Sequence, residues 1–265
     1  MLRIIVCVKA VPDPKQASNI RIDPVTRTLL RYDIPLVMNP LDKHALEAAL
    51  QLKAQLEAHV TVLSMGPPAA GNTVKECLAL GADQGILLCD QACGGADAFA
   101  TAWALAQAIE RIGSYDVVLC GMASSDSGTE WVGPEIATFL RLPVVTRVRE
   151  IPEYGGEWWK VKASLESGYR LVQVKLPAVL TVTRELNTPR ALSFSGIVEA
   201  RRKEIAEWGI DDLGVPKGSV GLKGSPTVVS DMTTQESKRQ VEMITGTREE
   251  KAERLIQKLA DAGLI

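Results

Sequence analysis

Histidine and aromatic residues are scarce in this chain: two His, and 5% Phe, Trp and Tyr, among 265 residues. With only His44 and His59 available, a Cys–His or Ser–His nucleophile has few ways to be assembled. The five cysteines, Cys7, Cys77, Cys89, Cys93 and Cys120, are an odd set in apolar surroundings, and Cys89 and Cys93 form a lone C-x3-C without a second pair. A structural zinc or iron–sulfur site wants four closely spaced ligands, so buried thiols are expected and a metal is not. Charge of one sign is also missing. Lys+Arg 30 against Asp+Glu 32 gives a net charge of -2, which argues against a protein built around electrostatic nucleic-acid binding. No apolar run approaches the roughly 20 residues of a membrane helix. The first nine residues, Met-Leu-Arg-Ile-Ile-Val-Cys-Val-Lys, are too short and too soon charged to read as a secretory signal, so a cytoplasmic protein is expected. Neither a G-x-G-x-x-G after the first strand nor a G-x-x-x-x-G-K-[ST] is present, which removes the dinucleotide fingerprint and the Walker A loop.

What is present is an ordinary core-forming composition, 46% hydrophobic and 23% charged, in a length suited to one large domain or two small ones. Residues 3–8 (Arg-Ile-Ile-Val-Cys-Val) read as a strand buried on both faces. Residues 20–33 form a polar excursion with a turn at Asp23-Pro24. From Pro40 the period becomes helical, with Asp42 as the expected cap and Ala45, Leu46, Ala49, Leu50 and Leu52 on the apolar side. Strand 59–65, helix 71–80, strand 85–89, helix 97–112, strand 116–120 and a helix from about Pro134 follow. This alternation predicts an α/β fold: a Rossmann-like parallel sheet with flanking helices and right-handed crossovers. Beyond Pro143 the pattern predicts an antiparallel extension, 144–151, 158–165 and 169–175, with a buried strand returning at 178–183. Residues 185–194 read as an exposed loop, followed by a short helix carrying Arg201-Arg202-Lys203. The expected division is an α/β domain over 1–205 and an extended C-terminal arm over 206–265. The arm ends in a helix, 247–263, with a Thr247-x-x-Glu250 capping box and Leu255, Ile256 and Leu259 on one side.

In an open parallel sheet, ligands bind outside the carboxyl ends of the strands. The segments leaving those ends are Lys9-Ala10-Val11, 38–42, Ser64-Met65-Gly66-Pro67, 90–97 and 121–129. Two of them are small-residue loops that open a helix, where unpaired N–H groups and the helix dipole suit a phosphate. Gly94, Gly95 and Ala96 allow close backbone approach, and Thr101, Ser124, Ser125 and Thr129 add hydroxyl groups. Asp97 and Asp126 suit ribose hydroxyls or a capping role better than phosphate. Asn39, held extended before Pro40, either reads an adenine edge with its amide or simply launches a helix.

At this point the residues resemble a family. Val-Cys-Val-Lys-x-Val-Pro-Asp at 6–13, Met-Asn-Pro-Leu-Asp at 38–42, Ser-Met-Gly-Pro-Pro at 64–68, Ala-Leu-Gly-Ala-Asp at 79–83, Val-Gly-Pro-Glu-Ile-Ala at 132–137 and Leu-Pro-Ala-Val-Leu-Thr-Val at 176–182 resemble the beta subunits of electron transfer flavoproteins. The resemblance runs from residue 1 to about 205 and more loosely into the arm. It implies a heterodimer with an alpha subunit that holds much of one FAD, while the beta subunit binds a second nucleotide. That nucleotide is AMP in one branch and a second FAD in the electron-bifurcating branch, which draws electrons from NADH. The resemblance places nucleotide contacts on Cys7, Asn39, Pro40, Leu41, Asp42, Met65, Gly66 and the loop comprising Gly121, Met122, Ala123, Ser124, Ser125, Asp126 and Thr129, on to Val132 and Gly133. The segment with Gly94, Gly95, Ala96, Asp97 and Thr101 resembles the two-FAD branch, so FAD is favoured over AMP. A docking loop for acyl-CoA dehydrogenase-like partners maps to about 184–205, with Phe194 as its apolar anchor where leucine is usual in the AMP branch. This sequence departs from the family in one loop. Gly-Arg-Gln-x-x-Asp-x-Asp is usual, and here Gly121 to Gly128 lacks the cation, the amide and the second carboxylate, with Trp131 nearby in place of a smaller polar residue. Two readings of other classes compete: an ATP-using hydrolase or adenylating ligase of related fold, and a nucleotide-sensing domain without redox function. No Lys or His stands beside Gly94-Gly95 in the sequence to assist phosphoryl chemistry.

Overall fold

A computed structural model describes residues 1–19, 21–22, 29–30, 34–230 and 241–265; the turn expected at Asp23-Pro24 lies outside them. In chain order the elements are β1 (Leu2–Cys7), β2 (Ala10–Pro12), β3 (Arg21–Ile22), β4 (Leu29–Leu30), β5 (Leu36–Met38), α1 (Pro40–Gln55), β6 (Ala58–Met65), α2 (Gly71–Leu80), β7 (Gln84–Leu88), α3 (Ala98–Ile112), β8 (Val117–Gly121) and α4 (Val132–Leu140). They continue as β9 (Val144–Glu153), β10 (Trp158–Ser164), β11 (Tyr169–Lys175), β12 (Ala178–Val182), α5 (Phe194–Ala200), β13 (Ile205–Trp208), α6 (Ile210–Leu213), α7 (Gly221–Gly224) and α8 (Arg248–Asp261). Nine strands form one sheet in the order β11-β10-β9-β12-β8-β1-β6-β7-β13. Neighbours from β9 to β13 pair in parallel, and β10 and β11 add an antiparallel edge.

The reason β1 sits in the middle is visible in its side chains. Strand residues alternate faces, so an unbroken apolar run is stable only when both faces are covered. Ile4 and Val6 join one core with Leu46, Leu50 and Leu78 from α1 and α2. Ile5 and Cys7 join the other with Leu105, Ile109 and Ile136 from α3 and α4. The sheet is therefore sandwiched between two helical layers.

Three expectations are corrected by the fold. The stretch from residue 144 is not wholly antiparallel: on one edge β9 pairs in parallel with β12 (Val144↔Val179, Val145↔Leu180, Val148↔Val182), and on the other it pairs antiparallel with β10 from Val148 to Glu153. Arg201, Arg202 and Lys203 follow α5 rather than lying on it. The arm expected from residue 206 begins later, because the chain divides into compact units Met1–Asp231 and Met232–Ile265. Strand β13 pairs with β7 from Ile205↔Gly85 to Trp208↔Leu88, and Trp208 packs into the core beside α3 with the Arg111 guanidinium 5.0 Å from its ring. A four-residue strand flanked by glycine carries too little periodicity to be read from sequence. In the second unit α8 keeps the expected Thr247–Glu250 capping box, and Leu255 and Ile256 are exposed. Among the described residues no helix is long and apolar enough to cross a membrane.

If β13 is held by the sheet, Trp208→Ala removes a half-buried aromatic and costs roughly 2 kcal/mol. Urea unfolding of the wild type and the variant measures this directly. A change below about 0.5 kcal/mol, the scale of an inert surface site, contradicts the placement.

Candidate nucleotide site at the carboxyl edge of the sheet

The chain runs outward from β1 to β6 and β7, then returns through α3 to β8 on the other side of β1. The crevice between the carboxyl ends of β1 and β8 is thus the topological switch point, where open α/β sheets bind ligands. Residues Lys9, Asn39–Asp42 and 121–131 meet there.

Asp42 joins them. Its Oδ2 accepts the Lys9 backbone N–H at 2.8 Å and its Oδ1 accepts that of Gly121 at 3.1 Å, so one carboxyl spans the ends of two adjacent strands. The expectation that Asp42 caps α1 is corrected: the N-cap position is Asn39, with Pro40 in the first turn, where its missing N–H costs nothing. Asp42 lies one turn inside and only 6% exposed. Burial pushes its pKa up to about 7, against the two backbone N–H groups and the Lys9 charge that pull it down. The approach requires glycine opposite: a Cβ on Gly121 would sit 2.5 Å from Asp42 Oδ1 and 2.8 Å from the Leu41 carbonyl carbon.

Asn39 is the second joint. Its Nδ2 donates to Ala123 O at 2.9 Å and its Oδ1 accepts from Ser125 N at 3.1 Å. The side chain is 1% exposed and both amide ends are engaged, so it pins the loop, and Asn39 at the N-cap before Pro40 also launches α1. Lys9 Nζ completes the arrangement, 2.7 Å from Asp126 Oδ1. Burial works to raise the Asp126 pKa, but the Lys9 hydrogen bond and charge hold it below the usual value. Ser124 and Ser127 share a hydroxyl hydrogen bond at 2.7 Å, and Gly128 N donates to Ser124 O.

Beyond this loop α4 begins without a capping side chain, leaving the N–H groups of its first turn available to an acceptor. Gly133, in that turn, is a close-packing residue: a Cβ there would meet Thr181 Cγ2 at 2.4 Å. In the same turn Glu135 has a buried carboxyl oxygen with no partner. Burial and the neighbouring Asp97 push its pKa up, so it holds a proton more readily than an exposed glutamate. Trp131 is 61% exposed at the mouth and does not fill interior space. Thr129 and Ser125 are exposed on the loop, while Met122 and Val132 are half-buried.

The second helix opening differs. Asp97 caps α3 by accepting from Ala100 N at 2.9 Å, and its other oxygen accepts from Thr227 N and Thr227 Oγ1 at 3.0 and 2.7 Å. Asp97 N donates to Ser225 Oγ, and Leu222 N donates to Gly94 O. A Cβ on Gly95 would meet Leu222 Cβ at 3.2 Å. The segment from α7 to Thr227 therefore lies on this loop, and of the two roles read for Asp97, a ribose contact or a cap, its carboxylate takes the cap and also receives Thr227.

The remaining expected positions lie where the strand ends place them. Cys7 is buried beneath the site, its thiol pushed up to about 12 by burial and by Asp42. Met65 ends β6 and Gly66 follows it, with Gly66 N donating to Leu88 O. Phe194 stands apart from the loops at 83% exposure. Two contributors are absent from the sequence-based set of site residues. Lys9 leaves the end of β1 with nothing in its neighbours to link it to Asp126. Arg147, in left-handed backbone on β9, reaches Glu130 Oε2 through Nε and Nη2 at 3.0 and 2.9 Å, and Glu130 is itself left-handed. No local pattern announces either pairing.

Asp42→Asn places an amide NH2 against one of two buried N–H donors, so at pH 8 it costs about 1–3 kcal/mol in denaturant unfolding. An Asp42 pKa above its unfolded value of about 4 means the folded form retains a proton the unfolded chain has lost, so this group's contribution to stability falls as pH rises from about 4 to about 7. Carboxyl-carbon NMR of Asp42 should show a midpoint near 7. A midpoint near 4 contradicts the burial argument.

The chain is similar to known proteins over most of its length. Residues 26–213 match the model of the Electron transfer flavoprotein domain. The chain is 46% identical over 260 residues to the Electron transfer flavoprotein subunit beta of Clostridium acetobutylicum, covering 98% of each chain. It is 41% identical over 266 residues, the whole of both chains, to the Caffeyl-CoA reductase-Etf complex subunit CarD of Acetobacterium woodii. A further relative, Protein FixA of Bradyrhizobium diazoefficiens, is 36% identical over 260 residues, 95% of this chain and 89% of that one. The chain belongs to the electron transfer flavoprotein family, among its beta subunits.

Proposed function

We propose that the chain is the beta subunit of a cytoplasmic heterodimer with an alpha subunit, holding FAD at the switch point and passing electrons between a donor such as NADH and flavoprotein dehydrogenases of the acyl-CoA type or ferredoxin-type acceptors. The observation that carries this reading is the 121–131 loop: pinned by Asn39, Asp42 and Lys9, it leads into a helix start that no side chain caps. Preorganised N–H donors at a helix N-terminus fit a nucleotide phosphate. The flavin, when bound, supplies the redox chemistry, and the protein supplies position and electrostatics.

Each residue then has a role. Asn39 and Asp42 keep the loop from collapsing into the crevice. Lys9 neutralises Asp126, so the loop presents little negative charge to a phosphate. Gly121, Met122, Ala123, Ser124, Ser125 and Thr129 line the approach, and Trp131 at the mouth offers an aromatic face to a ring system. Cys7, Leu41 and Met65 make the apolar floor. In the arm, the apolar side of α8 is read as a surface for the alpha subunit.

The resemblance of the segment from Gly94 to Thr101 to the two-FAD branch favours the bifurcating form. A specific observation supports the alternative, an AMP-binding subunit of a one-FAD carrier. The Gly94-Gly95-Ala96-Asp97 opening is covered by Leu222, Ser225 and Thr227. A pyrophosphate using that opening and Thr101 must share it with this segment, whereas AMP needs only the 121–133 side.

A nucleotide census decides. The heterodimer is co-expressed, purified and denatured, and the released FAD and AMP are quantified by chromatography. Two FAD per heterodimer is the expected result, one FAD with one AMP selects the alternative, and no nucleotide rejects both. Asn39→Ala removes two hydrogen bonds of about 1 kcal/mol each and should weaken nucleotide retention about tenfold or more. Asp126→Ala frees Lys9 and unpins the loop, with an effect in the same direction. Full occupancy in both variants after extensive dialysis rejects the assignment of this loop.

A further inference from the structure

Between Thr183 and Ala200 no residue is fully buried: Leu186 packs half-buried against the core, and from there to Ala200 the segment that presents Phe194 buries no apolar side chain. Polar joints to α1 hold it between those two points. Glu47 on α1 is 5% exposed, and its carboxylate is saturated. Arg190 donates to it from Nε at 2.8 Å, from Nη2 at 3.1 Å and from its backbone N–H at 3.1 Å, and Gln51 adds a fourth donor at 3.0 Å. One turn earlier, His44 Nδ1 lies 3.0 Å from both the backbone O and Oδ1 of Asn187. Asn187 Nδ2 donates back to His44 O at 2.9 Å, which fixes the amide orientation and makes Nδ1 the proton-bearing nitrogen.

We propose that Glu47 and Arg190, seconded by His44 and Asn187, are positioning residues that set the orientation of the partner-docking segment and hence the affinity for the flavoprotein dehydrogenase. The inference rests on the reading of 184–205 as that segment.

Stability alone does not account for this joint. Burying a carboxylate is costly, and a well-packed apolar contact would hold a loop to a helix at least as firmly. A forked guanidinium on a buried carboxylate, with the same residue's N–H on the same oxygen, instead fixes direction and register. The direction matters because Phe194, Leu192, Ile197 and Val198 are all exposed on the segment that leaves this joint. An exposed aromatic anchor binds tightly only if its loop is already ordered, since ordering on binding subtracts from affinity. The frame is also tied to the nucleotide site: Glu47 lies five residues along α1 from Asp42, about 7.5 Å of helix rise. One rigid helix thus carries the joint to β1 and β8 in its first turn and the joint to the docking segment in its second.

The test uses the nucleotide-loaded heterodimer. It is reduced with dithionite and mixed in a stopped-flow instrument with increasing concentrations of a purified, oxidised acyl-CoA dehydrogenase, following flavin absorbance. Glu47→Gln and Arg190→Lys should each raise the half-saturating dehydrogenase concentration about tenfold, the effect of a docking-competent population reduced to a tenth. The limiting rate at saturation, nucleotide content and thermal midpoint of Arg190→Lys should stay near wild type. Arg190→Lys keeps the charge and loses the fork, so it remains informative if Glu47→Gln folds poorly. Phe194→Ala runs alongside and should raise the half-saturating concentration at least tenfold. If Phe194→Ala weakens docking while Arg190→Lys leaves it unchanged, the positioning role is overturned and the docking reading stands. A lowered limiting rate with unchanged half-saturation also overturns it. If Phe194→Ala has no effect, the docking reading fails and the positioning role falls with it.

Discussion

The carboxyl group of Asp42 accepts one N–H from the end of β1 and one from the end of β8, and the site is organised around that bridge. Two parallel strands separated at their carboxyl ends leave backbone donors facing a crevice, where water or a side chain must satisfy them. A buried carboxyl can do so only if a helix delivers it along the right axis and if the facing residue has no side chain. Pro40 starts that helix, Asn39 turns the chain into it, and Gly121 gives way on the other side. The cost of burying the group appears as a pKa lifted to about 7. Its return is a fixed relation between α1, β1 and the loop after β8.

Two loops of similar composition then reach different ends. Both 94–97 and 121–131 carry small residues and an aspartate before a helix. At 94–97 the aspartate caps α3 and receives Thr227, while Leu222 packs on Gly95. At 121–131 the aspartate is set aside by Lys9, and α4 starts uncapped. Residues more than a hundred positions away therefore decide whether a helix N-terminus is closed or open.

The 121–128 loop carries no cation of its own. Lys9 reaches its Asp126 from the end of β1, and Arg147 holds Glu130 where the loop joins α4. Charge balance at the site is assembled by cations from β9 and from the end of β1 that reach the carboxylates of the loop.

Elements with long apolar periodicity are legible in the amino-acid sequence alone: β1, β6, α2 with its bounds at 71 and 80, α3 and the capped α8 all follow from spacing and caps, because those signals are local. The family motifs likewise mark the strand ends where a site forms. What local patterns do not carry is pairing across the chain. Strand β13 is too short to announce itself, β9 pairs in parallel on one edge and antiparallel on the other, Asn39 spends its amide on Ala123 and Ser125, and Glu47 waits for Arg190 143 residues later. A hydrophobic period is written in neighbouring residues because burial acts on every one of them. A hydrogen bond or ion pair between distant segments exists only once the sheet has brought their backbones together.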